Sequence, residues 1–399
     1  MMTTRSTLAL AILLCPLPLA AADWPEWGGD PSKNMIAEGP ALPVEFGSGE
    51  EDDEGLIDMS TTENCRWVAR LGSESYGTPT IANGRVIVGT NNERPRNPKI
   101  VGDRGVVMCF SEKTGEFQWQ MIVPKLPGGE AVDWEFLGIC SSTLQDGDRG
   151  YVITNRCEVA CLDLKGLADG NDGFSGEGQY MAGPGEEPAE TGPTDADILW
   201  VYDMRKEVGV EPHNITSSSP ALVAGRVIAT TSNGEDVEHS EMTAPEAPAL
   251  VALDAKTGKL SGREASGISE RTFHCNWSSP TVGKSQGKDA VFFGAGDGFL
   301  YAFDPTGAKD GKLRELWRYD ANPKEYRLDE EGEEREYPSY KGPSEIVGTP
   351  VFAGGRVYVA IGQDPEHGDG LGILSCVDAD TGKPVWTYKG ATRSLSTPA

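Results

Sequence analysis

The sequence predicts an all-β fold, a β-propeller of four-stranded antiparallel blades, and three observations predict it. Six stretches repeat one pattern of small residues ending in a hydroxyl: Gly77-Thr78-Pro79, Ser141-Ser142-Thr143, Ser218-Ser219-Pro220, Ser278-Ser279-Pro280, Gly348-Thr349-Pro350 and Ser396-Thr397-Pro398. Behind the first five comes a second echo: Val107-Met108-Cys109-Phe110, then runs closing on Asp163, Asp254, Asp304 and Asp378. The 50 glycines supply turns between short apolar runs. Self-similarity at a spacing of tens of residues fixes a repeat array, and a repeat made of short strands and tight turns is a propeller blade.

Taken from the N-terminus, residues 1–22 read as a secretory signal peptide. Arg5 gives a positive start, residues 8–14 are apolar, and Ala20-Ala21-Ala22 offers small residues for cleavage. That run is too short to span a bilayer, and no later segment reaches a transmembrane length. The chain is therefore expected to be exported, to periplasm or exterior. Residues 23–64 form an N-terminal extension, and the propeller occupies residues 65–399.

The fifth repeat displays the frame. A strand at residues 349–352, a Gly354-Gly355 turn and a strand at 357–361 come first; a loop, a strand at 373–378, the turn Asp380-Thr381-Gly382-Lys383 and a last strand at 385–388 follow. The same frame starts near Thr78, Ser142, Ser219 and Ser279. Residues 166–195 and 324–343 are insertions rich in Gly, Pro and acid, expected as mobile surface loops. Residues 65–71 resemble a fourth strand without its first three, and residues 396–399 a first strand alone. The expectation is five complete blades in a ring truncated at the C-terminus.

Lys and Arg number 35 against 62 Asp and Glu, a formal charge of −27. Such a surface repels phosphate backbones and excludes nucleic acid as a partner. Cys109, Cys161 and Cys376 occupy equivalent positions in apolar strands and read as buried small hydrophobes. Cys140 and Cys157 flank a hairpin near Gly147, within diagonal reach, and are a candidate disulfide.

Phe110-Ser111-Glu112-Lys113-Thr114-Gly115, Ala252-Leu253-Asp254-Ala255-Lys256-Thr257-Gly258 and Val377-Asp378-Ala379-Asp380-Thr381-Gly382 share a pattern that resembles the pyrroloquinoline quinone (PQQ) type repeat. The resemblance implies tryptophan docking, in which Trp119, Trp200, Trp317 and Trp386 stack on a neighbouring blade's turn; blade three carries Ser261-Gly262-Arg263 instead. Quinoprotein dehydrogenases, which bind PQQ and calcium, share the repeat. So do an outer-membrane assembly scaffold and a set of exported PQQ-like repeat proteins, which this chain most resembles. The dehydrogenases' adjacent cysteine pair is absent here.

In a propeller, residues just before each first strand and those joining second to third strands share one face. The first class contributes Tyr76, Cys140, His213, Asn214, His274, Asn276, Glu345 and Arg393. The second contributes Asn155, Arg156, Cys157, Asn233, Asp297, Gln363, Asp364 and His367. Imidazoles, a guanidinium and carboxylates at one exposed polar mouth can orient a ligand or a metal. The expected function is a ligand- or protein-binding module acting through that face. The alternative is a PQQ-dependent oxidoreductase of alcohols or sugars. No hydrolase or phosphate-loop motif is present.

Overall fold

Pairing in each repeat begins one residue after the proline, or after Thr143 in the second. Proline has no N–H to donate to a ladder, so the strand opens behind it. The structure, a computed structural model, describes residues 22–37, 39, 43–335, 343–363 and 371–399. Most of the expected signal peptide, together with Asp364 and His367, lies outside the described residues.

Five four-stranded antiparallel units follow one another, all-β as expected. The first is Thr80–Ala82, Arg85–Asn91, Arg104–Ser111 and Phe117–Pro124. The second is Leu144–Asp146, Arg149–Ile153, Glu158–Asp163 and Asp197–Asp203. The third is Ala221–Val223, Arg226–Thr230, Leu250–Asp254 and Leu260–Arg263. The fourth is Thr281–Ser285, Lys288–Gly294, Phe299–Lys309 and Lys312–Asp320. The fifth is Val351–Ala353, Arg356–Ile361, Ile373–Asp378 and Pro384–Tyr388. Within every unit each strand pairs with the next in sequence.

Apolar clusters lie between units, not within them. Val227 and Ala229 pack towards Val159 and Cys161 of the second unit, while Ile228 packs towards Val291 and Phe293 of the fourth. The alternation is the two-residue period of a strand buried on both faces. Cys109 and Cys161 are buried there, and Cys376 is buried beside its cross-strand partner Trp386 in the fifth unit.

Tryptophans lock the outer edges. Trp119 Nε1 donates to the Leu164 carbonyl at 2.9 Å, and Trp317 Nε1 to that of Ala379 at 3.0 Å. Their rings cover Gly166 and Gly382, and Trp200 covers Gly258. Trp67, outside any strand, does the same over Gly115 and donates to the Glu112 carbonyl at 2.8 Å. A Cβ on any of these glycines would lie 2.6–2.8 Å from a ring carbon, and each has φ between +65° and +72°. Trp386 departs from the expected docking: its side of the fifth unit is open, it is 45% exposed, and it meets Tyr358 at 6.1 Å.

The joint between units three and four and the insertion at residues 166–195 take forms that spacing did not predict. The third unit lacks a docking tryptophan, and the long hairpin of the fourth reaches over instead: Arg263 N donates to Gly311 O at 2.9 Å, next to a parallel bridge from Arg263 to Lys312. Units three and four thereby share one eight-stranded sheet. Residues 166–195, expected to be mobile, contain the helix Glu177–Ala182, whose Met181 is buried against Ile122 and Val106 of the first unit. Burial of that apolar side orders the insertion. Among the described residues no helix is long and apolar enough to cross a membrane.

Trp119→Ala is expected to cost about 3–5 kcal/mol in urea unfolding, the range for a buried aromatic. Trp386→Ala should cost under about 1 kcal/mol, because half its ring is already in water.

Candidate functional site

The repeated hydroxyls converge. Ser142 N donates to Ser219 Oγ at 2.9 Å, Ser219 N to Ser279 Oγ at 2.9 Å, and Thr349 N to Thr397 Oγ1 at 3.0 Å. Each step links one repeat to the next around a cavity of about 470 Å³. Trp27, Trp277 and Tyr76 add aromatic surface to its wall, and among the described residues no charged side chain lines it.

The N-terminal extension crosses the far end of this cavity. Trp24 pairs with Ile81, Pro25 O accepts from Gln145 N at 2.8 Å, Pro31 O from Val282 N at 2.7 Å, and Ser32 O from Phe352 N at 2.9 Å. The segment thus bonds to the innermost strands of units one, two, four and five. Lys33 closes its loop by a buried ion pair to Glu26. Burial pushes the Lys33 amine down and the Glu26 carboxyl up, and each charge partly offsets the other's shift.

At the near end, three short segments make a small sheet. Pro212 bridges Asn233, and Gly234 bridges Cys275. His213 N donates to Ser232 O at 3.1 Å, and Glu235 N to His274 O at 3.0 Å. Gly234 sits where they meet: a Cβ there would lie 2.5 Å from the His213 Cβ and 2.8 Å from the His274 oxygen. From Glu235 the chain turns back through a loop that bridges Glu235 to Met242. Asp236 caps that loop, accepting from Ser240 N at 2.7 Å and Glu241 N at 3.2 Å. The loop carries His239 over the two other histidines.

His213, His239 and His274 form a near-equilateral cluster with ring centroids 4.7–4.9 Å apart. One nitrogen from each ring lies within 4.8 Å of the others. His213 Nδ1 donates to the Glu235 carbonyl at 2.8 Å. Trp277 packs on His274 at 4.7 Å and joins this cluster to the cavity wall. Burial pushes the neighbouring Glu235 carboxyl up to about 8, with Asp236 adding to it.

The expected site residues separate into groups. His213 and His274 come together, but both are buried, not exposed as the polar-mouth reading expected. Glu235 and the loop of residues 236–242 fold over them, which composition did not announce. His239 was missed, although it lies between second and third strands, as Asn233 does. Asn233 and Asn276 are scaffold beneath the cluster: Asn276 Nδ2 donates to Asn233 O at 3.0 Å, and Asn233 Oδ1 accepts from Glu211 N at 2.9 Å. Glu345 is buried and pairs its backbone with Gly362; burial above all, and then Glu345, raises the Cys275 thiol. Gln363 is buried, Arg393 half-buried and Tyr76 62% exposed at the cavity.

Others stand apart. Asn155 holds Asp133 at 2.7 Å, and Arg156 pairs with Glu158 at 3.1 Å beside Tyr180. Asn214, at φ 57°, bonds through its backbone to Ala131 and Trp134. Asp297 accepts from Tyr301 Oη at 2.5 Å and Arg271 at 3.4 Å. Cys140 and Cys157 are free thiols, not the expected disulfide. Cys157 adopts φ 59°, which turns its Sγ into the next unit, 3.0 Å from the Thr231 carbonyl. Cys140 instead lines the cavity, its thiol pushed up to about 12 by burial.

Gly234→Ala should cost about 1–3 kcal/mol in urea unfolding, as overpacking does. Asp297 gives a pH signature. Burial raises its carboxyl from 3.8 to about 6, so the folded state holds this proton more tightly. Its contribution is full below pH 3.8 and is lost as pH rises through 6, by at most about 3 kcal/mol. Stability curves of Asp297→Asn should lack that fall.

Known proteins bear on this architecture in a graded way. The family described as "Outer membrane protein assembly factor BamB" matches residues 296–399. BamB from Moraxella catarrhalis is similar in structure at 15% identity and TM-score 0.34, over 81% of this chain and 78% of that one. Quinohemoprotein alcohol dehydrogenase from Comamonas testosteroni is similar at 11% identity and TM-score 0.43, over 94% and 68%. A europium-containing methanol dehydrogenase is similar at 11% identity and TM-score 0.38, over 94% and 86%. No protein of curated function matches the sequence. Residues 296–399 are thus similar to that family, and the described chain as a whole is an all-β array of consecutive four-stranded antiparallel units.

Proposed function

We propose that this chain is an exported binding module whose channel takes a small neutral ligand rich in hydrogen-bond acceptors. The observation that carries this reading is the hydroxyl-lined cavity of about 470 Å³. Ser219, Ser279 and Thr397 each accept a backbone N–H, and a hydroxyl that has accepted keeps its own proton to give. Repetition therefore sets several donors around one space, with Trp27 and Trp277 as flat apolar walls. A sugar-sized molecule matches both the volume and the donors. A charged ligand would shed its water against a wall without countercharge.

PQQ fits this channel poorly. It is a planar tricarboxylate, and among the described residues no cationic side chain lines the cavity. Of Glu345, Asn276 and Asp297, the residue types that could serve calcium, Asn276 and Asp297 are engaged in internal hydrogen bonds. The quinone-dependent alternative gains no support from these residues. The matched family is described as an outer membrane protein assembly factor, which accords with a binding role.

Tryptophan fluorescence titrated with neutral mono- and disaccharides tests the reading. A saturable change is expected with at least one sugar, weakened about tenfold by Ser219→Ala, the worth of one hydrogen bond. A red-shifted quinone absorbance with PQQ and calcium, together with dye-linked alcohol oxidation, would overturn it.

A further inference from the structure

We propose that His213, His239 and His274 bind one divalent transition-metal ion of the imidazole-preferring class, represented by zinc. The site goes beyond the channel reading: it lies at the mouth, beside the cavity, and either proposal can fail alone. Three imidazoles from three separate segments meet at nearly equal spacing, with rings inclined 48–67° to one another. Inclined rings can aim their nitrogen edges at a common point, which parallel stacking would prevent.

The protonation pattern suits a ligand set. A carbonyl oxygen can only accept, so the 2.8 Å contact to Glu235 O fixes the proton of His213 on Nδ1. Its Nε2 then carries the lone pair that a metal needs. A backbone carbonyl holding the remote nitrogen is the usual support of a metal-bound histidine.

The geometry needs little change. Zinc–nitrogen bonds of about 2.0–2.1 Å set tetrahedral ligand nitrogens roughly 3.4 Å apart. One nitrogen from each ring now lies within 4.8 Å of the others, so closing the triangle takes a shift of at most about 1.4 Å per pair. His213 and His274 are held by the small sheet around Gly234, whereas half-buried His239 rides on a capped loop that can supply the movement. Trp277 shields the His274 side from water. Three nitrogens favour zinc, copper or nickel over calcium and magnesium, which select oxygen.

The test uses the full chain without a histidine tag, stripped with chelator and titrated with cobalt chloride and then zinc chloride. Saturation at one equivalent is expected, with a visible cobalt absorption band that zinc abolishes and a higher Tm with zinc. His239→Ala should weaken binding about 100-fold or more while leaving the far-ultraviolet spectrum unchanged. His213→Ala and His274→Ala remove buried rings and count only where that spectrum is retained. Absence of saturable cobalt binding by the folded protein, or binding indifferent to His239→Ala, overturns the proposal. Neither result alters the sugar titration that tests the channel.

Discussion

The contact on which the architecture depends is a tryptophan ring laid on a glycine of the following unit. At Gly115, Gly166, Gly258 and Gly382 the ring carbons come so close that any side chain would collide. The indole N–H at Trp67, Trp119 and Trp317 then reaches a backbone carbonyl in the same turn. One residue thus contributes a large apolar face and a directed hydrogen bond, a combination suited to joining two sheets at a fixed angle. Where the tryptophan is missing, between units three and four, a longer hairpin reaches across and pairs backbone to backbone. The joint is kept by different means, because an open outer edge would leave polar groups and apolar surface in water.

The units, once joined, bring their equivalent positions to one axis. Every repeat carries a hydroxyl at this position, and those of Ser219, Ser279 and Thr397 cap a neighbour's backbone N–H. A structural device repeated around a ring becomes a chemical surface. The extension closes the other end through bonds to four of the five innermost strands, so the cavity has a floor supplied by a different part of the chain.

The mouth follows another logic. Histidine side chains are seldom buried in groups, since each ring brings two polar nitrogens into a dry place. Here the backbone makes room: Gly234 lets three segments approach, and the Asp236 turn folds His239 over the other two. The arrangement belongs to tertiary contacts spanning residues 211–277.

Sequence by itself determined the repeat, the four-stranded units, the turn glycines and three docking tryptophans, because each depends on local spacing that a strand or turn must obey. It also placed His213 and His274 on one face, since each precedes an innermost strand by a few residues. It did not reveal that Trp386 stays half in water, that Trp67 docks without a strand, or that residues 177–182 form a helix; those outcomes depend on which surface lies opposite. Nor could it choose His239, or separate Cys140 from Cys157. A turn at φ 59° sends the Cys157 thiol into the next unit, and no spacing rule encodes that direction. Periodicity fixes which residues share a face; only the packed structure fixes which of them touch.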